Sequence, residues 1–326
     1  MNAPVTKPRR VLAVEDAGEN SIALESALAL AEAHGASLEV IACLEPPHDL
    51  SVLSRLYGED PETLVAETVE HMRGIVAGKL AKIVPDRQID VAVSVGKAYL
   101  EVIRRVAAAD CDLVVKKAEP LSGVGRLLFA SDDQHLLRKC PCPVWLQTTT
   151  APKRPRRVLA AVDLDLSDAE EPQTLADLNR RVIAAACMIA RAPGAEVFVL
   201  HAWDAIGEGM IAAFAGGRDA RISADEYVGE ILNARQEAMD RFLGQVRREF
   251  DPRFRFVPRL ARGSPETVIH AQRMEIAADA VVMGTVARTG LSGVFIGNTA
   301  ENIINCLDCS VLAVKPAGFA SPLLQR

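Results

Sequence analysis

The 326 residues exceed what one small core needs and suit two domains of ordinary size. Hydrophobic residues at 49% and charged residues at 25% exclude a disordered chain, while a net charge of -6 and only 4% aromatics argue against general nucleic-acid binding. No apolar run is long enough to cross a bilayer, and the leader-like start at Lys7, Arg9 and Arg10 is ended by Glu15, Asp16 and Glu19, so a cytoplasmic chain without a membrane span is expected.

In chain order, the apolar runs 11–14, 91–95, 113–115 and 143–146 predict strands of a first half. The polar, proline-bearing stretch from Gln147 to Pro155 reads as a linker. Strand 157–162, helix 172–191 closed by Pro193-Gly194, and strand 196–201 open the second half. An irregular, glycine-rich connection follows, then a long amphipathic helix over 225–250, strand 255–260 and helix 265–277. Strand 280–283, helix 299–305 and strand 310–314 complete a β-α-β-α-β-α-β-α-β order.

The halves repeat one another. Arg9-Arg10-Val11-Leu12-Ala13 recurs as Arg156-Arg157-Val158-Leu159-Ala160, and Cys111-Asp112-Leu113-Val114-Val115 as Ala278-Asp279-Ala280-Val281-Val282. So long a repeat implies two similar domains rather than a solenoid: 1–147, a linker 148–156, and 157–326. Short Val, Ala and Leu strands without alternation belong to parallel sheets covered on both faces. The expected fold is α/β: two tandem doubly wound, Rossmann-like domains, each a five-stranded parallel sheet with helices on both faces.

Ligands of such sheets sit outside the carboxyl ends of the strands. Asp163 and Asp165 lie at one such end, and the loop from Gly284 through Gly290, Gly293 and Gly297 lies at another. Strand, glycine loop and helix present bare N–H groups to an anion, which points to a bound phosphate and to a nucleotide as its carrier.

These residues resemble the universal stress proteins, whose nucleotide-binding members carry G-x-x-G, nine residues, then G-S or G-T after the fourth strand. Here Gly284 fills the first position and Gly297 the last glycine. The stretches Gly297-Asn298-Thr299-Ala300-Glu301 and His135-Leu136-Leu137-Arg138-Lys139-Cys140-Pro141 are similar to the tandem subgroup of that family, the E type. The resemblance implies ATP between the first and fourth strands of the second domain. It puts Asp163 at the adenine or ribose, the backbone of His201 and Ala202 along the adenine, and Met283 and Gly284 beside ribose and phosphates. Ala287 and Arg288 belong to the same loop, and Gly297, Asn298 and Thr299 would hold phosphates that share a Mg²⁺ ion. Two positions depart from the pattern: Ala287 replaces the second glycine, and Asn298 the serine or threonine. In the first half Lys117, Pro120, Ala130 and Ser131 take the places of Gly284, Ala287, Gly297 and Asn298, so no nucleotide is expected there.

Plainer readings stand beside these. Asp163 alone reads as a strand-end acid or helix cap, and Lys116-Lys117 as a solvated strand end. Cys306-x-x-Cys309 and Cys140-Pro141-Cys142 read as packed thiols of a reducing compartment. The apolar connection 205–217 is a candidate flap. The expected function is regulatory Mg-ATP binding with at most slow hydrolysis, for which Arg288 and Asp165 lack motif support. The alternative is a non-nucleotide binding module or scaffold carrying an apolar, lipid-like ligand or a protein partner. The fifth strands, as edges, invite an intrachain pseudo-dimer, and association of two chains into a homodimer is left open.

Overall fold

The computed structural model describes residues 7–119, 131–166, 169–215, 217–285, 300, 303 and 309–324. The first half runs β1 (Arg10–Glu15), α1 (Ile22–His34), β2 (Ser37–Leu44), α2 (Leu50–Tyr57), α3 (Pro61–Ile83), β3 (Val91–Val95), α4 (Ala98–Ala109), β4 (Leu113–Lys117), α5 (Ser131–Lys139) and β5 (Val144–Gln147). The second runs β6 (Arg157–Ala161), α6 (Pro172–Ile189), β7 (Glu196–Trp203), α7 (Glu208–Ala215), α8 (Gly217–Glu249), β8 (Arg255–Arg262), α9 (Pro265–Ile276), β9 (Ala280–Gly284) and β10 (Ser310–Val314).

The strands form one ten-stranded sheet in the order β3-β2-β1-β4-β5-β10-β9-β6-β7-β8. Pairing is parallel within each half, and β10 meets β5 antiparallel through Val311↔Leu146, Leu312↔Trp145 and Ala313↔Val144. The two edge strands foreseen from sequence therefore cover each other. Successive residues of β1 explain the missing hydrophobic alternation. Val11 and Ala13 enter one apolar cluster with α1, α3, α6 and α8, while Leu12 and Val14 enter the other with α4, α5 and α9. Both clusters draw on both halves.

Local chemistry fixes the ends of the elements. Asp60 caps α3 by accepting from the Glu62 and Thr63 amides with Pro61 at the first helical position, and Ser264 caps α9 through the Thr267 amide. The repeated aspartates act at the amino ends of the first strands. Asp112 accepts from the backbone amides of Arg9 and Arg10, and Asp279 from those of Arg156 and Arg157.

Two expectations are corrected. The connection after β7 is not irregular: α7 spans Glu208–Ala215, because the Ala and Met residues of this apolar stretch favour a helix between its glycines. Likewise α8 starts at Gly217, eight residues before the foreseen start at Asp225. The helix expected over 299–305 falls largely outside the described residues.

Beyond β10, Lys315 reaches across the seam between the halves. Only 5% exposed, it donates to the carbonyls of Leu137 and Arg138 at the carboxyl end of α5, where helical partners run out. Burial pushes its pKa down to about 8 despite the neighbouring Cys140 and Cys142 thiols. Those two sulfurs lie 3.6 Å apart in the core, and all six described cysteines are free. Burial pushes the Cys43, Cys111 and Cys187 thiols up to about 12.

Because the folded-state pKa of Lys315 lies below its unfolded value, the folded chain sheds a proton that the unfolded chain keeps. Wild type should therefore gain stability relative to Lys315→Met as pH rises from about 8 to about 10.5, by about 3 kcal/mol at full extent. Denaturant unfolding of both proteins across that window checks it, and parallel pH profiles would refute the buried-lysine account.

Candidate functional site

At the carboxyl end of β6 the chain passes through Val162, Asp163, Leu164 and Asp165. The Val162 amide continues the ladder to the Leu200 carbonyl. The next residue is fixed by a side chain: the Asp163 amide donates to Asn179 Oδ1 at 2.9 Å, and Asn179 Nδ2 donates back to the Asp163 carbonyl. Asp165 then turns over Asp163, its amide donating to Asp163 Oδ1 at 3.1 Å.

Beside this turn lies a cavity of about 510 Å³, within the range of small-molecule sites. Asp163, His201, Ala202, Met283 and Gly284 all line it, so the structure brings together the five described residues that sequence had placed around a nucleotide. Ala287, Arg288, Gly297, Asn298 and Thr299 lie outside the described residues. Among the described residues, no group of three or more His, Cys, Asp or Glu is arranged to hold a metal ion.

Three contributors escaped the sequence reading. Asn179 is a polar residue inside the apolar stripe of α6, a signal that was present. Arg235 is one of many charged residues on α8 and carries no such signal. It approaches Asp165, with Nε 2.8 Å from Oδ1. The third, Leu178, explains Gly284. A Cβ on Gly284 would stand 2.6 Å from Leu178 Cδ2 and 3.0 Å from Cγ, so the glycine admits Leu178 to the strand end. That packing need comes in addition to any approach by a phosphate.

The first domain fills the corresponding place with its own charges. Lys117, at the position of Gly284, binds Asp16, at the position of Asp163, with Nζ 2.6 Å from Oδ2. Lys79 Nζ donates to Glu15 Oε1 at 2.8 Å and to the Asp16 carbonyl at 2.7 Å. Lys116 corrects the solvated reading of the Lys116-Lys117 pair. It is 4% exposed, with Nζ 2.9 Å from Asp133 Oδ1 and a further bond to Glu119. Burial opposes that ammonium, yet the Asp133 and Glu119 carboxylates hold its pKa above the usual lysine range. Partners make such burial tolerable, and partners are invisible in a strand-end dipeptide.

Gly284→Ala should cost about 1–3 kcal/mol through the clash with Leu178, and adding Leu178→Ala should recover part of it. Urea unfolding of the single and double variants checks the pair. A Gly284→Ala protein as stable as wild type would remove the packing explanation.

The family model described as "Universal stress protein family" matches twice, over residues 8–147 and 155–315. "Universal stress protein E" of Salmonella typhi is 30% identical over 283 residues, 85% of each chain. Two solved structures share the whole fold. A protein of unknown function from Pseudomonas aeruginosa PAO1 has a TM-score of 0.67 at 24% identity, covering 97% of this chain and 95% of that one. A universal stress protein from Archaeoglobus fulgidus DSM 4304 has a TM-score of 0.57 at 16% identity, covering 94% and 98%. Two matched domains, one full-length fold and a relative of this identity together show that the chain belongs to the universal stress protein family, with two of its domains in tandem.

Proposed function

We propose that this protein acts in the stress response by binding ATP with Mg²⁺ in its second domain as a regulatory ligand. One observation carries the reading. The 510 Å³ cavity opens at the carboxyl ends of β6, β7 and β9, where doubly wound sheets take ligands, and it gathers Asp163, His201, Ala202, Met283 and Gly284. The first domain supports the asymmetry, because Lys117 and Asp16 satisfy each other where a ligand would otherwise sit. The phosphates and their Mg²⁺ fall to the sequence motif that ends in Gly297, Asn298 and Thr299.

A regulatory role is favoured over catalysis. Hydrolysis needs a group free to orient water, and Asp165, the acid the sequence offers for that task, faces Arg235 and His201 instead. Occupancy would act by population shift, favouring one arrangement of the segments around the cavity for a protein partner to read. A second reading, an apolar ligand, draws on the Leu175, Leu178, Val182, Leu200 and Ile269 side of the same cavity.

Titration of Mg-ATP into the full chain should give saturable binding near one site per chain, lost in Gly297→Leu. No heat and no competition at millimolar nucleotide would sink the reading and favour the apolar ligand. Sustained phosphate release abolished by the same substitution would replace regulation with catalysis.

A further inference from the structure

Away from the strand ends, at the seam between the halves, lies a smaller cavity of about 120 Å³. It is too small for a nucleotide, because sites for whole small molecules begin at roughly 300 Å³, yet it has room for a compact anion. Leu30 of α1, Trp145 of β5 and Ile189 of α6 make its apolar side. Its polar side is Lys153 and Arg154 of the linker and Arg191 just past α6, and none of the described residues that line it is acidic. The Ala192 amide donates to the Pro155 carbonyl at 3.4 Å, which ties the segment that follows Arg191 to the one that follows Arg154. Some of the local charge is already neutralised. Lys153 Nζ lies 2.6 Å from Glu25 Oε2, and Arg253 Nε 3.3 Å from Asp251 Oδ2. Among the described residues, the side chains of Arg154 and Arg191 make no ion pair and no hydrogen bond. Like charges crowd this place. Burial pushes the Arg191 pKa below its usual range, and Arg253 and Arg154 push it the same way. His34 on α1 is lowered by burial too, with Arg191, Lys7 and Arg253 adding to it against the Met188 carbonyl. Trp145, 1% exposed, contributes an indole N–H without a hydrogen-bond partner among the described residues.

We propose that this seam cavity binds a phosphate dianion, as inorganic phosphate or the head of a compact phosphomonoester, between Arg154 and Arg191. A guanidinium is a planar fork of donors that matches two oxygens of a phosphate. Two such forks set two positive charges against the two negative charges of the ligand. Chloride matches neither the charge nor the geometry. Lys153 stays with Glu25 and adds attraction at longer range. The site is separate from the strand-end cavity of the second domain, with which it shares no lining residue. Its cations come from the linker and the second half, while α1 and β5 of the first half supply its wall. Occupancy would therefore fasten the linker against both halves.

Calorimetric titration of the full chain with sodium phosphate, and separately with glycerol phosphate, at fixed ionic strength and mildly alkaline pH tests this. Phosphate should bind saturably near one site per chain, and sodium chloride should give no saturable heat. Arg154→Gln and Arg191→Gln should each weaken binding by about tenfold or more. Loss of the nucleotide motif in Gly297→Leu should leave phosphate binding as it is. In Trp203→Phe, Trp145 is the one tryptophan left, so its emission should change with the calorimetric midpoint. Binding of glycerol phosphate as well would identify the ligand as a phosphomonoester head, and binding of phosphate alone would identify it as the free ion. No saturable phosphate binding, or binding that both arginine variants retain, would overturn the assignment. Arg154 is an exposed linker residue, so Arg154→Gln decides the matter even if Arg191→Gln fails to fold.

Discussion

The antiparallel pairing of β5 with β10 is the contact on which the architecture depends. Each half, taken alone, is a parallel sheet with its fifth strand as a bare edge, and such an edge leaves a row of backbone groups without partners. Three register pairs close the seam, with Trp145 fully buried among them and the Thr148 amide donating to Ser310 Oγ. Two sheets become one, and the apolar layers on both faces run on without a break. Because the joining strands run in opposite directions, the carboxyl ends of the two halves point to opposite ends of the sheet. The two crevices therefore open away from each other, and each half is free to diverge at its own.

They have diverged by electrostatics. The second domain keeps Val162, Asp163 and Gly284 around an open cavity. At the matching places the first domain carries Glu15, Asp16 and Lys117, with Lys79 and Lys116 alongside. Burial raises the pKa of Glu15, and Lys79 offsets that by pairing with it. A network of this kind resists piecemeal change, since removing one partner strands a charge away from water. The first crevice is thereby lined by side chains that pair with one another.

The second cavity is built on different terms. Asn179 holds the Asp163 backbone through paired hydrogen bonds, and Leu178 fills the space that Gly284 leaves. Arg235 comes from α8, a helix that otherwise packs Met239, Leu243 and Val246 on the core. The lip is less enclosed: Ile206 lines the cavity while 88% exposed, just ahead of α7. The cavity thus has a packed floor and an exposed lip.

The sequence by itself determined the repeat, the parallel α/β class, the strand ends that line the cavity and the difference in charge between the two halves there. Those features are written in local pattern: consecutive apolar residues need cover on both faces, and a Gly, Lys or Pro at a strand end acts through its own backbone or charge. The burial of Lys116, the packing role of Gly284, and the places of Asn179, Arg235 and Lys315 were decided only by the tertiary structure. Each depends on a partner distant along the chain, such as Asp133 for Lys116 or the α5 carbonyls for Lys315, and local periodicity does not encode which helix face meets which strand end.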